Sequence, residues 1–260
     1  MSIQIADVKQ IVVEAGRLAL LYYGKVSKSV KADLSVVSEA DAAVENFLRL
    51  SLTALAPQYG YIGEETEESR PPAPGEEHAW VVDALDGSRA FVAQMPLWMP
   101  AVCLMQGNQP VAGAAFNPVT NELFWAGEDG PAFCNDEPLH PTFSSALEPN
   151  TFIFGPTNHH RTFTIDFPGR IYCLGAPIYQ LCLVAKGAVA ALFFDPAINL
   201  WDLALPSLLL ERTGAVLVYA SGRPVVLSEL MGRSKVPEPI FTGGAKVVEI
   251  LRQRITYKHA

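Results

Sequence analysis

A short apolar run in the first half of the chain contains one aspartate and is followed at once by a second. Residues 79–85 read Ala-Trp-Val-Val-Asp-Ala-Leu, and Asp86 comes next. A run of this kind predicts a strand buried on both faces, so Asp83 and Asp86 are expected inside the protein. Two neighbouring carboxylates raise each other's pKa unless a cation lies between them. Clustered carboxylate oxygens are suitable ligands for Mg²⁺. An ordinary Asp-Gly turn after a strand would have the same sequence.

Four further segments indicate a chemical function only when they are considered together. The residues after Asp86 are Gly87 and Ser88, whose backbone N–H groups can hold a phosphate at the start of a helix. The other motifs are Gly63-Glu64-Glu65, Trp201-Asp202 and Ser38-Glu39-Ala40-Asp41. Taken alone, Asp202 is an N-cap, Glu64 lies in a solvated acidic loop, and Asp41 is a capping-box partner.

An acidic charge balance excludes two classes of partner. The 260 residues include 27 Asp and Glu against 19 Lys and Arg, which gives a net charge of −8. We therefore expect no binding to nucleic acid and none to anionic membranes. A phosphorylated substrate would need cations to offset the protein's own charge, which again indicates a metal. The sequence shows no secretory signal and no apolar stretch near the ~18 residues of a spanning helix. Its four scattered cysteines lie among apolar residues, which predicts buried thiols in a reducing cytoplasm.

Helical and strand periodicities alternate along the chain. The predicted helices cover residues 5–23, 39–56, 177–186, 203–212 and 245–254. The predicted strands cover residues 79–85, 151–154, 171–174, 190–194 and 215–219, with an antiparallel meander over 99–133. This order indicates a mixed, layered α/β protein. A boundary near residue 145 divides it into an N-terminal α+β subdomain, 1–145, with most of the metal ligands, and a C-terminal α/β subdomain, 146–260, that completes the site with Asp202.

The motifs together resemble one known family. Residues 80–91 read Trp-Val-Val-Asp-Ala-Leu-Asp-Gly-Ser-Arg-Ala-Phe, and Trp201-Asp202 is followed by a helix and Glu-Arg-Thr-Gly-Ala at 211–215. With the upstream Gly-Glu-Glu at 63–65 and the Lys31…Ser38-x-x-Asp41 element, they match the order of signatures in the inositol monophosphatase family. That family lies within the lithium-sensitive, magnesium-dependent sugar and nucleotide phosphatases.

The resemblance implies a fold and a metal site. The fold would be a five-layer α/β/α/β/α sandwich of the inositol monophosphatase and fructose-1,6-bisphosphatase type, commonly a homodimer. Glu64, Asp83 and the Leu85 carbonyl would hold one magnesium ion. Asp83, Asp86 and Asp202 would hold the second, and a third ion near Glu64 would be loosely bound.

Catalytic and substrate contacts are implied in the same way. Glu64 and the Ser88 hydroxyl, paired with Asp41, would help deprotonate the attacking water. The implied substrate contacts are Gly87, Ser88, Asp195 and Ala176, with Lys31 in a lid over the site. Departures from the family pattern lie beside the site and put the substrate in doubt more than the chemistry; they are Ala84, Ala90, Pro177 and Pro206.

The predicted function is Mg²⁺-dependent hydrolysis of a small phosphate monoester by a cytoplasmic phosphatase. Inositol 1-phosphate or a similar polyol or sugar phosphate is the first candidate. The alternatives are histidinol phosphate and adenosine 3′,5′-bisphosphate, the second weakened by the lack of an evident basic cluster near the motifs. A different class of function is a weakly active family member that serves as a regulatory binding protein.

Overall fold

The structure is a computed structural model, and it describes residues 3–26, 29–30, 36–66, 69–231 and 236–258. Its helices are α1 Ile5–Tyr22, α2 Glu39–Leu55, α3 Ser88–Val92, α4 His159–Thr162, α5 Pro177–Ala185, α6 Leu200–Thr213 and α7 Ala245–Arg254. The strands of the first half are β1 Ser29–Val30, β2 Val36–Val37, β3 Gly60–Gly63, β4 His78–Asp86, β5 Met99–Gln106, β6 Gln109–Asn117, β7 Glu122–Ala126, β8 Ala132–Cys134 and β9 Glu137–Pro138. The strands of the second half are β10 Phe152–Phe154, β11 Phe163–Ile165, β12 Arg170–Tyr172, β13 Ala191–Phe194, β14 Val216–Tyr219, β15 Ile240–Gly243 and β16 Ile255–Tyr257.

The larger sheet has seven strands in sequence order from β3 to β9. Strands β3 and β4 are parallel, and every later pair in this sheet is antiparallel. The predicted meander over 99–133 is thereby confirmed. The pairing of β4 with β5 shifts between Asp83 and Asp86, where β4 carries an extra residue. A bulge of this kind bends a strand and redirects its side chains, so it sets the direction of the two aspartates.

The smaller sheet has five strands in the order β12-β10-β13-β15-β14. Its side chains alternate between two apolar layers: Leu192 and Phe194 face the centre of the molecule, whereas Phe193 faces the outer layer with α7. This alternation is the strand period of two. Two small antiparallel pairs, β1 with β2 and β11 with β16, lie outside the two main sheets.

Five layers follow from how the apolar faces are covered. Helices α1 and α2 pack on one face of the seven-stranded sheet. Helices α5 and α6 fill the space between the two sheets, and α7 covers the outer face of the five-stranded sheet. The mixed α/β fold and its α/β/α/β/α layering are therefore confirmed. Residue 145 falls between β9 and β10; the division of the chain there into two subdomains stays a prediction.

Helix α6 differs from its prediction. It begins at Leu200, three residues earlier than expected, and its N-cap is Asn199. Asp202 is therefore not an N-cap: it sits in the first turn as the capping-box partner of Asn199. Pro206 lies in the second turn, whereas a helix that began at residue 203 would place it in the first. Because proline has no N–H, the Asp202 carbonyl lacks its usual donor four residues along the helix.

The cysteines differ in part from the expectation of buried thiols. All four are free, and Cys103, Cys134 and Cys182 are buried. Cys173 is only half-buried, with its sulfur 3.5 Å from the Pro156 carbonyl oxygen.

Helix α6 supplies a test of this layering. Leu209 is 0 % exposed between the two sheets, whereas Leu21 on α1 is 64 % exposed. We expect Leu209→Ala to lower the free energy of unfolding by about 2–5 kcal/mol through lost burial and a residual cavity. Leu21→Ala, the matched control, should change it by less than ~0.5 kcal/mol. Urea denaturation measures both, and equal losses would contradict a central position for α6.

Candidate active site

Three carboxylates from distant parts of the chain meet between the two sheets. Strand β4 contributes Asp83 and Asp86, and the first turn of α6 contributes Asp202. All three are buried, and one ligand oxygen from each lies within 4.8 Å of the others. The structure thus brings together three of the predicted metal ligands.

Backbone N–H groups hold two of these carboxylates in place. Tyr179 donates its N–H to Asp86 Oδ2 over 2.9 Å, and Asn199 donates its N–H to Asp202 Oδ2 over 2.7 Å. The second oxygen of Asp86, Oδ1, is buried and has no hydrogen-bond partner among the described residues. A buried acceptor left unpaired costs free energy, so this oxygen points to a ligand.

The electrostatics of the group favour a cation. Burial, followed by the charges of Glu64, Asp86 and Asp202, holds the pKa of Asp83 well above its ordinary range, although the Leu85 N–H bond opposes the shift. Burial and the charge of Asp202 raise the pKa of Asp86 to about 8. Burial raises the pKa of Asp202 to about 6. The three groups can all be ionised near neutral pH only with a compensating positive charge.

The remaining predicted ligands lie at the same cavity. Glu64 follows β3 directly, and its N–H donates to the Val82 carbonyl oxygen of β4 over 3.2 Å. Glu64 and Leu85 line the 550 Å³ cavity that contains the three aspartates, but Glu64 lies outside the compact group of three. A donor set of buried carboxylate oxygens with one unpaired acceptor fits a hard divalent cation such as Mg²⁺.

Ser88 and Asp41 form the predicted pair. Ser88 Oγ lies 2.8 Å from Asp41 Oδ1 and 3.0 Å from the Leu85 carbonyl oxygen, so its one proton serves either acceptor. Asp41 Oδ2 accepts from the N–H of Ser38 over 2.7 Å and from its hydroxyl over 2.8 Å. The predicted capping box is confirmed, and it fixes the Asp41 carboxylate that faces Ser88.

Gly87 is required by the turn between β4 and α3. Its φ of 82° lies in the left-handed region, which side chains other than hydrogen disfavour. A Cβ there would also overlap the Leu97 carbonyl oxygen and lie 2.9 Å from Ala176 Cβ. Ala176 is fully buried, and its neighbours Gly175 and Pro177 line the cavity.

A second cavity of 370 Å³ adjoins the first and shares Asp202 with it. Asp195 lines this second cavity, where its Oδ2 accepts from Asn158 Nδ2 over 2.8 Å. Gln180 is 2 % exposed at the cavity wall, and its Nε2 has no partner in the part of the chain that the structure describes. The second cavity therefore offers both hydrogen-bond donors and acceptors to a bound molecule.

Sequence reasoning missed several residues at the site. Arg89 is the one cationic side chain among the described residues that line the two cavities, and its position directly after Ser88 was the available signal. Asn158 and Gln180 carry no such signal, because only the fold brings them to the site. Lys31, the predicted lid residue, lies outside the described residues.

Comparison with known proteins decides the family. The family model described as the inositol monophosphatase family matches residues 2–238. The chain belongs to the inositol monophosphatase family. It is therefore a phosphoric monoester hydrolase by family, and the resemblance drawn from its motifs is confirmed.

Individual relatives and solved structures are similar to this chain over most of their length. An inositol-1-monophosphatase of Rhizobium meliloti (strain 1021) is 30% identical over 226 residues, which cover 82% of this chain and 84% of the relative. A histidinol-phosphatase of Chlorobaculum parvum is 27% identical over 223 residues, which cover 82% of this chain and 85% of the relative. The crystal structure of the extragenic suppressor protein suhB from Bartonella henselae has a TM-score of 0.83 at 24% identity, with 95% of this chain and 96% of that chain covered. This structural likeness shows the shared fold.

Among the residues that the structure describes, no helix has the length and the apolar composition that a membrane span requires.

The raised carboxylate pKa values predict how stability depends on pH without metal. The folded protein holds protons on Asp86 and Asp202 that the unfolded chain releases near pH ~4. Unfolding therefore releases protons between about pH 4 and 8, and stability falls as pH rises through this window. We expect the melting temperature of chelator-treated protein to fall from pH 5 to pH 8.

Added Mg²⁺ should restore the melting temperature most at pH 8, where the carboxylates can ionise around it. The Asp86→Asn variant is the control. It removes the carboxylate whose pKa is raised to about 8, so its melting temperature should depend less on pH. A melting temperature of the chelator-treated protein that rises between pH 5 and 8 would contradict this account.

Proposed function

We propose that this chain hydrolyses a small phosphate monoester in a magnesium-dependent reaction, with inositol 1-phosphate as the first substrate to test. The observation that supports it most is the buried group of Asp83, Asp86 and Asp202, whose oxygens lie within 4.8 Å of one another. Such a group is expensive to bury without a cation. It lies beside a hydroxyl–carboxylate pair and opens to a second cavity that can take a leaving group.

The chain's own residues have distinct parts in this proposal. Glu64, Asp83, the Leu85 carbonyl, Asp86 and Asp202 would hold two Mg²⁺ ions, with a third near Glu64. When bound, the ions supply charge neutralisation and acidify the attacking water. The carboxylates fix the positions at which that charge acts, and the fold keeps them there before the substrate arrives.

Proton transfer falls to Ser88 and Asp41. Ser88 Oγ takes a proton from the attacking water as it passes its own to Asp41 Oδ1, along the 2.8 Å contact between them. The water oxygen forms a new bond to phosphorus, the bond from phosphorus to the ester oxygen breaks, and the leaving alcohol is protonated by solvent. Backbone N–H groups of Gly87 and Ser88 would hold the phosphoryl oxygens.

The second cavity supports two alternatives for the alcohol. Asp195 offers a carboxylate to a substrate hydroxyl or to an ammonium group, which keeps histidinol phosphate as the second candidate, and one relative is named histidinol-phosphatase. Arg89 lines both cavities. A cation there supports substrates with a second phosphate, such as adenosine 3′,5′-bisphosphate, more than the sequence alone indicates.

Several properties of the chain remain proposals drawn from its family resemblance. They are lithium sensitivity, a homodimer and a cytoplasmic location. A weakly active protein that acts as a regulatory binding partner is the alternative to a metabolic enzyme, and failure of the next experiment would favour it.

Phosphate release tests the proposed reaction. The panel contains inositol 1-phosphate, histidinol phosphate, fructose 1,6-bisphosphate and adenosine 3′,5′-bisphosphate, each with and without Mg²⁺. We expect Mg²⁺-dependent release that drops by at least ~100-fold in Asp83→Asn, because a ligand to the ions is lost. Asp129→Asn makes the same change in an exposed turn and should match the wild type. Release that needs no Mg²⁺, or none from any substrate, would contradict the proposal.

Ser88 supplies a separate test of the proton path. We expect Ser88→Ala to lower kcat by about 10²- to 10⁴-fold, because the hydroxyl that relays the proton is absent. Ser88→Thr keeps the hydroxyl and should retain most of the activity. Steady-state kinetics at saturating Mg²⁺ compares the two variants, and equal rates for Ser88→Ala and the wild type would exclude this role.

A further inference from the structure

A fifth buried carboxylate lies near the site but belongs to no part of the proposed mechanism. Glu45 on α2 is 6 % exposed, and buried glutamates are rare unless they are well bonded. Its Oε1 accepts from the Tyr61 hydroxyl over 2.9 Å and from Thr66 Oγ1 over 2.6 Å. Its Oε2 is buried without a hydrogen-bond partner in the described ranges. The burial of Glu45 therefore has a free-energy cost that the proposed mechanism does not explain.

Both partners of Glu45 flank Glu64 in sequence. Tyr61 precedes Glu64 by three residues in β3, and Thr66 follows it by two. Between them, a Cβ at Gly63 would overlap the Glu45 carboxylate, so the backbone directly before Glu64 packs against that carboxylate. One buried side chain thus contacts the segment that carries Glu64 at three points.

The same helix also supports the other side of the cavity. Asp41 precedes Glu45 by four residues on α2, so the two carboxylates project from one face. Asp41 bonds to Ser88, and Glu45 bonds to the segment on either side of Glu64. Helix α2 therefore connects the turn after β4 with the loop after β3 through two carboxylates one turn apart.

We propose that Glu45 is a positioning residue, which fixes the loop after β3 so that Glu64 faces the three aspartates. This inference rests on the proposed function, because it assumes that Glu64 helps to hold a cation. Residues that orient metal ligands from behind typically change metal affinity by about 10- to 100-fold when they are removed. Loss of Glu45 should act on metal affinity first and on kcat at saturating metal much less.

Four variants separate positioning from general stability. Glu45→Ala removes the anchor, and Glu45→Gln keeps the shape and one acceptor oxygen for the two hydroxyls. Thr66→Val removes one of the two bonds with little change in volume. Leu48→Ala is the matched control, because Leu48 is fully buried one turn further along α2 and its apolar side chain forms no hydrogen bond to the loop.

The primary readout is calorimetric titration of the metal-free proteins with Mg²⁺, alongside the Mg²⁺ concentration that gives half-maximal phosphate release. Thermal unfolding gives the melting temperature of each protein, so that every titration can be carried out well below it. We expect ~10- to 100-fold weaker Mg²⁺ binding in Glu45→Ala, a smaller loss in Thr66→Val, and most of the affinity restored in Glu45→Gln. Leu48→Ala should lower the melting temperature and leave the Mg²⁺ affinity unchanged.

The outcomes separate the two proposals. Wild-type affinity in Glu45→Ala, or an equal loss in Leu48→Ala, overturns the positioning role while the proposed function stands. No Mg²⁺ binding and no phosphate release by the wild type overturn the proposed function instead. If Glu45→Ala does not fold, wild-type affinity in Thr66→Val decides against the positioning role, and weakened affinity supports it.

Discussion

The burial of three neighbouring carboxylates is the constraint on which the site depends. Asp83, Asp86 and Asp202 are each drawn out of water and held within reach of one another, and burial is the first cause of every raised pKa among them. The fold bears this cost because the rest of the structure is well packed: both faces of each main sheet are covered by helices. A bound cation offsets the negative charges of these carboxylates, so an arrangement that is unfavourable without metal becomes a metal-binding site.

Two helices connect this constraint to the fold. Helix α6 lies between the sheets and delivers Asp202 from its first turn, where the capping box with Asn199 fixes the carboxylate. Helix α2 lies on the opposite face of the larger sheet and carries Asp41, whose own capping box fixes it toward Ser88. In both places one carboxylate completes a capping box and also lies at the site. Local helix stability and the geometry of the cavity therefore depend on the same side chains.

Sequence reasoning worked where a local pattern controls the structure. The strand with Asp83 and Asp86, the capping box at Ser38 and the meander are all short-range signals, and the structure contains all three. It was less successful where distant segments decide the outcome. The start of α6 was placed three residues late because Asn199 was not recognised as the cap. Strand β15 went unpredicted because its four residues gain a partner only in the sheet, and Gln180 reaches the second cavity only through the fold.

The central claim is that the buried carboxylates hold divalent cations, and crystals soaked in Mn²⁺ test it most directly. Mn²⁺ takes similar oxygen ligands and scatters anomalously, so its position can be located without assumptions about activity. The account predicts anomalous peaks bounded by Asp83, Asp86 and Asp202 and by Glu64 and Asp83, each within about 2.0–2.5 Å of carboxylate oxygens. Anomalous density elsewhere on the protein, with none between these carboxylates, would contradict it.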